Sequence, residues 1–177
     1  MDSSKNNIAL VGFMGTGKTT VGRLLAAKSG LAFIDIDECI SAKAGMDIPL
    51  IFSTFGESYF RDLEEEVLRE ILINKNQVIS CGGGIVAKEI NRSQLIKNSV
   101  ICWLYNSLET SLSRINETSR PLLNASDPVG KARDLFMERE ALYREVAHFS
   151  ICTEDIDQYQ VADIIYNDIF LQIFAKR

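Results

Sequence analysis

The segment GFMGTGKT, Gly12 to Thr19, matches the pattern G-x-x-x-x-G-K-[ST] and stands between an apolar run and a helix-forming run. Its glycines let backbone N–H groups curl around phosphate oxygens, and the N-terminus of the following helix adds a favourable dipole. Lys18 would reach the β- and γ-phosphates of a nucleotide, and the Thr19 hydroxyl would coordinate Mg²⁺. The motif therefore predicts a nucleoside triphosphate site with Mg²⁺, in which the phosphates contact Gly12, Gly15, Thr16, Gly17, Lys18, Thr19 and Thr20.

Two aspartates stand at the end of the next apolar run, FIDID. Alternate residues of a strand point to the same face, so the carboxylates of Asp35 and Asp37 are expected to lie side by side and to repel each other. Asp35 would hold Mg²⁺ through water, as P-loop enzymes do with an aspartate at a strand end. Asp37 would accept a hydrogen bond from a hydroxyl, the group that a phosphoryl acceptor presents. The alternative is a pair of aspartates that caps the following helix near Glu38.

The elements that must position these residues alternate between strands and helices. Short, almost continuously apolar runs predict five strands, as expected when helices cover both faces of a sheet. This alternation is typical of an α/β fold with a central five-stranded parallel sheet between two helical layers. The predicted strands are 7–13, 31–36, 77–81, 99–105 and 148–153.

Three helices have recognisable ends in the sequence. The first begins in the glycine-rich turn and is expected to stop at Gly30. A later helix would be capped by Ser126 or Asp127, with Pro128 in the first helical position. The last is predicted at about 158–174, where apolar residues recur at helical spacing.

Two segments exceed a minimal strand–helix repeat. The segment at about 37–64 has room for several helices, and we interpret it as a helical insertion that forms a second, substrate-binding wall. The polar segment at about 114–126 has few periodic apolar residues, and we interpret it as a lid. The length of 177 residues suits one domain, 1–177.

Composition excludes some classes of partner. The chain is 46% hydrophobic and 24% charged with a net charge of −5, which argues against a nucleic-acid surface or an anionic membrane as the main partner. Four widely spaced cysteines and a single histidine provide neither a zinc site nor a disulfide framework. The first residues lack the pattern of a signal peptide. We expect a cytoplasmic monomer that acts on small molecules.

Several segments together resemble one family, shikimate kinase, in order and spacing over nearly the whole chain. The P-loop alone is not specific for this family, but the combination is. The resemblance implies a three-layer P-loop kinase fold and ATP-dependent phosphorylation of the 3-hydroxyl of shikimate, in aromatic amino acid (chorismate) biosynthesis. The segments are GFMGTGKTTVGRLLA (12–26), FIDID (33–37), IFSTFGESYFRDLE (51–64), SCGGGIV (80–86), SRPLL (119–123) and EREALYREVA (138–147).

The resemblance also implies roles for single residues. Asp35 resembles the family's magnesium-side aspartate, and Asp37 resembles the aspartate that contacts substrate hydroxyls. Arg120 resembles the lid arginine that closes onto the phosphates. The remaining matches concern the bound ring: Arg61 and Arg139 as the clamp on the carboxylate, Glu64 as the acid that orients Arg61, and Gly82, Gly83 and Gly84 as the loop under the ring.

The residues taken singly leave simpler interpretations open. Arg61 has Glu57, Glu64 and Glu65 at helical spacing, so it suits a surface ion pair as well as a substrate clamp. Arg139 has charged neighbours of the same kind, Gly82 to Gly84 suit a flexible turn, and Arg120 suits an exposed charge.

The expected adenine loop departs from the family pattern. The segment TEDIDQYQVADII lacks the usual arginine and proline, so no adenine contact is assigned within it, and only Arg114 matches an adenine-stacking arginine. Two alternatives compete with a shikimate kinase. A gluconate-type kinase would not carry FGExxFR, GGG and RPLL together. A non-catalytic ATP-binding domain would be expected to lack one of the charged site residues, such as Lys18 or Asp35, and none is missing.

Overall fold

The computed structural model describes residues 6–114 and 127–171, and within them the chain forms one five-stranded sheet. All neighbouring strands pair in parallel, in the order second, third, first, fourth and fifth along the chain. The predicted five-stranded parallel sheet is thereby confirmed. The strands are β1 (Asn7–Val11), β2 (Ala32–Asp35), β3 (Gln77–Ser80), β4 (Ser99–Tyr105) and β5 (Phe149–Cys152).

Helices cover both faces of this sheet. A π-helical segment, Tyr166–Phe170, directly continues the last α-helix. The helix predicted at 158–174 is therefore observed to residue 171, and its last positions lie outside the described residues. The α-helices are α1 (Lys18–Ser29), α2 (Ile36–Ala44), α3 (Ile48–Ile71), α4 (Glu89–Asn98), α5 (Leu108–Ser113), α6 (Pro128–Val146) and α7 (Gln158–Ile165).

Strand alternation divides the apolar residues into two cores. In β1, Ala9 and Val11 belong to the core that contains side chains of α3 and α6. Their neighbours Ile8 and Leu10 point to the opposite core, which contains side chains of α1 and α7. All residues of β1 are buried, which explains why the strand reads as a continuous apolar run.

Local signals set the helix ends near the site. Gly30 adopts φ 74°, in the left-handed region, and its N–H donates to the Ala26 carbonyl, so α1 stops where the sequence predicts. Asp127 rather than Ser126 caps α6, since its carboxylate accepts from the Gly130 N–H at 2.9 Å. Pro128 occupies the first helical turn as predicted.

A glycine divides the long helix α3. Gly56 has φ 82° and ψ 174°, which is non-helical and accessible to glycine almost alone. The chain therefore bends between the first part of α3 and the part that carries Arg61 and Glu64. The segment predicted as a helical insertion, about 37–64, contains most of α2 and the larger part of α3, which continues to Ile71.

The parallel arrangement brings five loops to one edge of the sheet. The glycine-rich loop follows β1, Asp35 ends β2, and the three glycines 82–84 follow β3. The loop to α5 follows β4, and Thr153 follows β5. Ligands in open α/β sheets bind at this carboxyl edge, so the candidate site lies here.

Candidate active site

The glycine-rich loop packs too tightly for side chains at two of its positions. Gly12 has φ 146°, and a Cβ built on it would lie 2.1 Å from the Leu104 backbone oxygen. Gly15 has φ 78°, and its Cβ would lie 2.5 Å from the Ser111 backbone oxygen. Both glycines are required because the loop lies directly against the backbone of β4 and of the following helix α5.

Lys18 turns back over this loop. Its Nζ donates to the Phe13 carbonyl at 2.7 Å, and the side chain is buried with only 9% exposed. The Thr16 hydroxyl donates to the same carbonyl at 2.8 Å. The ammonium group is therefore held at the loop that would cradle the phosphates, while Thr20 is exposed at the start of α1.

The two predicted metal-side residues meet directly. The Thr19 hydroxyl donates to Asp35 Oδ2 at 2.8 Å, and the Ser80 hydroxyl lies 3.3 Å from Thr19 Oγ1. Asp35 Oδ1 accepts from the backbone N–H of Asp37 at 3.0 Å and so caps α2. Asp35 thus lies beside Thr19, the other residue predicted on the magnesium side, and also forms the helix cap that stood as the alternative. Ser80 was not identified from the sequence.

The expected geometry of the aspartate pair is wrong. The strand ends at Asp35 and α2 begins at Ile36, so Asp37 lies in the first helical turn. The two carboxylates are therefore not neighbours on one strand face. Asp37 is directed instead towards the glycine loop after β3, since a Cβ on Gly82 would lie 2.8 Å from Asp37 Oδ1.

Arg61 is a buried charge and not a surface one. Its Nη1 donates to Glu64 Oε2 at 2.7 Å, and its Nη2 donates to Glu57 Oε1 at 3.2 Å. Arg61 is 8% exposed and Glu64 is 1% exposed, which excludes the surface ion pair. Glu65 pairs elsewhere, with Lys88. The guanidinium lies against Gly84, where any Cβ would be 2.2 Å from Arg61 Nη1.

Arg139 reaches the same glycine loop from α6. Its Nη1 donates to the Gly83 carbonyl at 3.2 Å, and the residue is 3% exposed. The Tyr143 hydroxyl, one helical turn further along α6, donates to the same carbonyl. The charged neighbours that suggested a surface role pair with other residues: Glu140 with Arg144 and Glu145 with Arg92.

Two carboxylates and two guanidinium groups surround these glycines. Burial raises the pKa of Glu64, and the nearby Asp37 raises it further, while Arg61 and Arg139 act in the opposite direction. Among the described residues, Glu64 Oε1 and Arg139 Nε are buried without a hydrogen-bond partner. The cluster can therefore both donate to an anion and accept from a hydroxyl.

One cavity of about 450 Å³ runs along the carboxyl edge of the sheet beside this cluster, and of the four charged side chains only Asp37 lines it. Asp37, Gly82 and Gly83 line it near β2 and β3, and Lys18 and Thr19 line it at the centre. The part near β4 and β5, where the sequence assigned only Arg114, is lined by Arg114, Thr153, Ile156, Gln158 and Val161.

Arg114 anchors this last part of the cavity. Its Nη2 donates to the Thr153 carbonyl at 3.2 Å, which ties the end of α5 to the loop after β5. The side chain expected to stack on adenine thus does line the cavity. Arg120 and the rest of the predicted lid, from residue 115 to residue 126, lie outside the described residues.

Within residues 6–114 and 127–171, no helix is long and apolar enough to cross a membrane. Likewise, the described part of the chain has no cluster of three or more His, Cys, Asp or Glu residues that would hold a metal ion by itself.

Known proteins of one family match the chain over almost its full length. The family model described as shikimate kinase matches residues 14–170. The shikimate kinase of Thermodesulfovibrio yellowstonii is 45% identical over 163 residues, which are 92% of this chain and 94% of that protein. The solved shikimate kinase of Acinetobacter baumannii in complex with shikimate has a TM-score of 0.89 and 40% identity, covering 99% of this chain and 96% of that one. A second crystal structure, shikimate kinase from Aquifex aeolicus, has a TM-score of 0.82 at 32% identity, with coverage of 95% and 98%. These matches, together with the P-loop and the buried arginines of α3 and α6, show that the chain belongs to the shikimate kinase family.

Proposed function

We propose that this chain transfers the γ-phosphate of ATP to the 3-hydroxyl of shikimate, giving shikimate 3-phosphate on the route to chorismate and the aromatic amino acids. Family membership supports the reaction. The observation in the site that supports it most directly is the pair of buried arginines, Arg61 and Arg139, which both lie against one glycine loop.

These arginines suit the carboxylate of shikimate. A planar guanidinium forms bidentate, charge-assisted hydrogen bonds with a carboxylate, and burial strengthens them. Arg139 has a buried Nε without a partner among the described residues, and Arg61 is oriented by Glu64. We infer that the ring lies over Gly82 to Gly84 with its carboxylate between the two arginines.

Asp37 is the proposed partner of the reacting hydroxyl. It lies between the glycine loop and the phosphate loop, and it lines the same cavity as Lys18. A hydroxyl that donates to this carboxylate is oriented for in-line attack on the γ-phosphate. The transition state of phosphoryl transfer is loose, so orientation is the main contribution, and a late proton transfer to Asp37 completes the step.

Three cationic or donor groups are proposed to bind the phosphates. Lys18 would exchange its bond with the Phe13 carbonyl for a phosphate oxygen, and the glycine-loop amides would bind the other oxygens. Arg120, outside the described residues, is proposed to approach from the lid. These groups stabilise the negative charge that the transferred phosphoryl group spreads over its oxygens.

The residues beside α1 fit Mg²⁺. Hydroxyl and carboxylate oxygens of three residues, Ser80, Thr19 and Asp35, lie together. Thr19 Oγ1 is 2.8 Å from Asp35 Oδ2 and 3.3 Å from Ser80 Oγ. Mg²⁺ prefers oxygen ligands and keeps several waters, so it needs few protein ligands. We propose that Thr19 binds the ion directly and that Asp35 binds it through water. Bound Mg²⁺ supplies positive charge beside the β- and γ-phosphates.

The base of the nucleotide is proposed to bind at the β5 side of the cavity. Arg114, Thr153, Ile156 and Gln158 line this part, and it lies across the sheet from the acceptor residues. The Arg114 guanidinium can stack on a base, while Ile156 offers an apolar contact. In this proposal these side chains take the place of the arginine and proline that the family usually carries in its adenine loop and that this chain lacks.

We further propose that the protein works as a monomer in the cytoplasm, without nucleic-acid or membrane partners. Its net charge of −5 does not favour either surface. The gluconate-type and non-catalytic alternatives receive no support, since the family match spans nearly the whole chain and the charged residues of the site are present.

A coupled ADP-release assay tests the function. Purified protein with ATP and Mg²⁺ is assayed with shikimate, with gluconate and without an acceptor. We expect ADP release only with shikimate, with shikimate 3-phosphate identified by mass. ADP release at the same rate in all three reactions would overturn the proposal.

A further inference from the structure

The acidic loop after β5 carries a carboxylate with an unexpected set of contacts. Glu154 Oε2 accepts from the Ser107 backbone N–H at 2.7 Å, and Glu154 Oε1 accepts from the Ser107 hydroxyl at 2.8 Å. The Thr110 hydroxyl also donates to Oε1. Every one of these donors belongs to the loop and first turn that follow β4, so one side chain joins two separate loops.

This connection is more than a helix cap. The Ser107 hydroxyl already caps α5, since it accepts from the Thr110 backbone N–H at 3.1 Å. The contact with Glu154 therefore adds a link between elements that are 44 to 47 residues apart in sequence. A six-residue helix such as α5 has little stability of its own, so such a link decides where it lies.

Both linked loops line the β5 side of the cavity. Arg114 directly follows α5, and Thr153 directly precedes Glu154; both are cavity residues. Arg114 Nη2 donates to the Thr153 carbonyl, and the Thr153 N–H donates to the Tyr105 carbonyl at 2.8 Å. A shift of the Glu154 loop would move these two cavity residues together.

The charge state of Glu154 suits this role. Hydrogen bonds from Thr110 and Ser107 lower the pKa of its carboxyl group from the ordinary value of 4.5, so it stays ionised near neutral pH. An ionised carboxylate accepts the stronger, charge-assisted hydrogen bonds.

We propose that Glu154 is a positioning residue for the nucleotide: its carboxylate fixes the loop after β5 to the start of α5 and thereby holds Arg114 and Thr153 where the base of ATP binds. This inference rests on the proposed function, because it needs the base to lie at the β5 side of the cavity. Glu154 itself is not required to touch ATP.

Two substitutions test the link. Glu154→Ala removes all three hydrogen bonds and should raise the KM and the Kd for ATP roughly five- to tenfold, which corresponds to the loss of one or two net hydrogen bonds. Glu154→Gln keeps one acceptor oxygen and should have a smaller effect. The KM for shikimate should stay within about twofold of the wild-type value in both variants, because the acceptor residues lie across the sheet.

The matched control is Asp155→Asn, which removes the neighbouring, exposed carboxylate of the same loop. It should leave both KM values unchanged. Thr110→Val, on the other side of the link, should reproduce part of the Glu154→Ala effect. The double variant should then show less than the sum of the two single effects, because both remove the same contact.

A purely structural role predicts different results. In that case Glu154→Ala would lower the Tm and change both KM values by the same factor, or would leave the KM for ATP unchanged; either result overturns the proposal. ATP affinity measured by calorimetry without shikimate keeps this test separate from the function itself. If wild-type protein showed no shikimate-dependent turnover, the proposed function would fail, whereas the calorimetry would still decide the role of Glu154.

Discussion

Asp37 and Glu64 are two carboxylates directed at one glycine. A Cβ on Gly82 would lie 2.8 Å from Asp37 Oδ1 and 3.1 Å from Glu64 Oε1. The two acids have different partners, because Glu64 is bonded to Arg61 while Asp37 lines the cavity. Because Asp37 lines the cavity and Glu64 is held by Arg61, we propose Asp37 as the residue that orients a substrate hydroxyl, and the predictions for the two residues differ.

Asp37→Asn should lower kcat by about a hundredfold or more while leaving the KM for ATP nearly unchanged. The amide keeps the shape of the side chain but cannot accept a proton and is a weaker acceptor for the hydroxyl. Steady-state kinetics with both substrates varied checks this. The control is Glu38→Gln in the same helical turn, an exposed residue that should tolerate the change. Normal turnover by Asp37→Asn would remove its proposed role.

Arg139→Ala should raise the KM for shikimate at least roughly tenfold, since a buried, charge-assisted contact to the carboxylate is lost. Arg144→Ala on the same helix is the matched control, because Arg144 is exposed and pairs with Glu140 at 2.9 Å. Initial rates at fixed ATP measure both variants. Equal KM values for Arg139→Ala and wild type would count against the carboxylate clamp.

Glu64→Gln tests the buried acid through the pH dependence of stability. The folded-state pKa of Glu64 lies above the ordinary value of 4.5, so its contribution to stability is present at or below pH 4.5 and decreases as the pH rises through the folded pKa. The Tm of Glu64→Gln relative to wild type should therefore rise between pH 4 and pH 7 in thermal melts.

The matched control for this trend is Glu65→Gln. Glu65 is half-buried and pairs with Lys88 at 2.8 Å. The Tm of Glu65→Gln relative to wild type should not rise in the same way between pH 4 and pH 7. If the difference in Tm between Glu64→Gln and wild type stayed constant with pH, Arg61 would compensate fully for the burial of the acid.

Gly56 sets the direction of the part of α3 that carries Arg61. Its backbone conformation, φ 82° and ψ 174°, separates the first part of α3 from the part that carries Arg61. Among the described residues, no heavy atom of another part of the chain lies within 4 Å of a Cβ built there, so the expected strain is that of the backbone conformation.

Gly56→Ala should therefore destabilise the protein by about 1–3 kcal/mol, the usual cost of a strained backbone conformation. If the bend relaxes instead, Arg61 shifts and the KM for shikimate rises. Thr54→Ala, an exposed position in the same helix, serves as the control. Chemical denaturation and initial rates measure both effects, and a variant unchanged in both would show that the bend is not needed.

The whole molecule places its two proposed substrates along one edge of the sheet. The phosphate loop follows the central strand β1, while the acceptor residues lie beside β2 and β3. This separation predicts that the two ligands stabilise the fold independently. It also predicts that Mg²⁺ affects the binding of the nucleotide but not the binding of shikimate.

Shikimate at a hundred times its Kd should contribute about 2.7 kcal/mol of stability and raise the Tm by roughly 5–10 °C for a chain of this size. Addition of EDTA should abolish phosphoryl transfer and weaken the stabilisation by ATP, but should leave the shikimate shift intact. Thermal melts with and without EDTA check this. Loss of the shikimate shift in EDTA would contradict the separation of the two sites.

The mass of the protein in solution tests the proposed monomer. Light scattering on a size-exclusion column should give the chain mass of 19.8 kDa, with or without substrates. A dimer mass at assay concentration would reject it.

Much of the sheet and of the phosphate loop could be predicted because their signals are local. Lys18 and Thr19 lie within one short motif, and apolar runs revealed all five strands. The motif specifies its own backbone, since glycines with positive φ and a helix N-terminus follow from adjacent residues. Both Thr19 and Asp35 were assigned to the magnesium side from the sequence, and the structure brings them into a direct hydrogen bond at the carboxyl edge of the sheet.

The tertiary structure alone decided which charges are buried and which loops are joined. Arg139 lies 56 residues from Gly83, and Glu154 lies 47 residues from Ser107, so no local pattern relates these partners. The chain also turned into a helix one residue after Asp35, which directed Asp37 to Gly82 instead of to its strand neighbour. Residue types and spacing thus determined the chemistry that the chain can perform, whereas the packing of α3 and α6 against the sheet decided which side chains share one site, because burial and partner choice are properties of the folded chain.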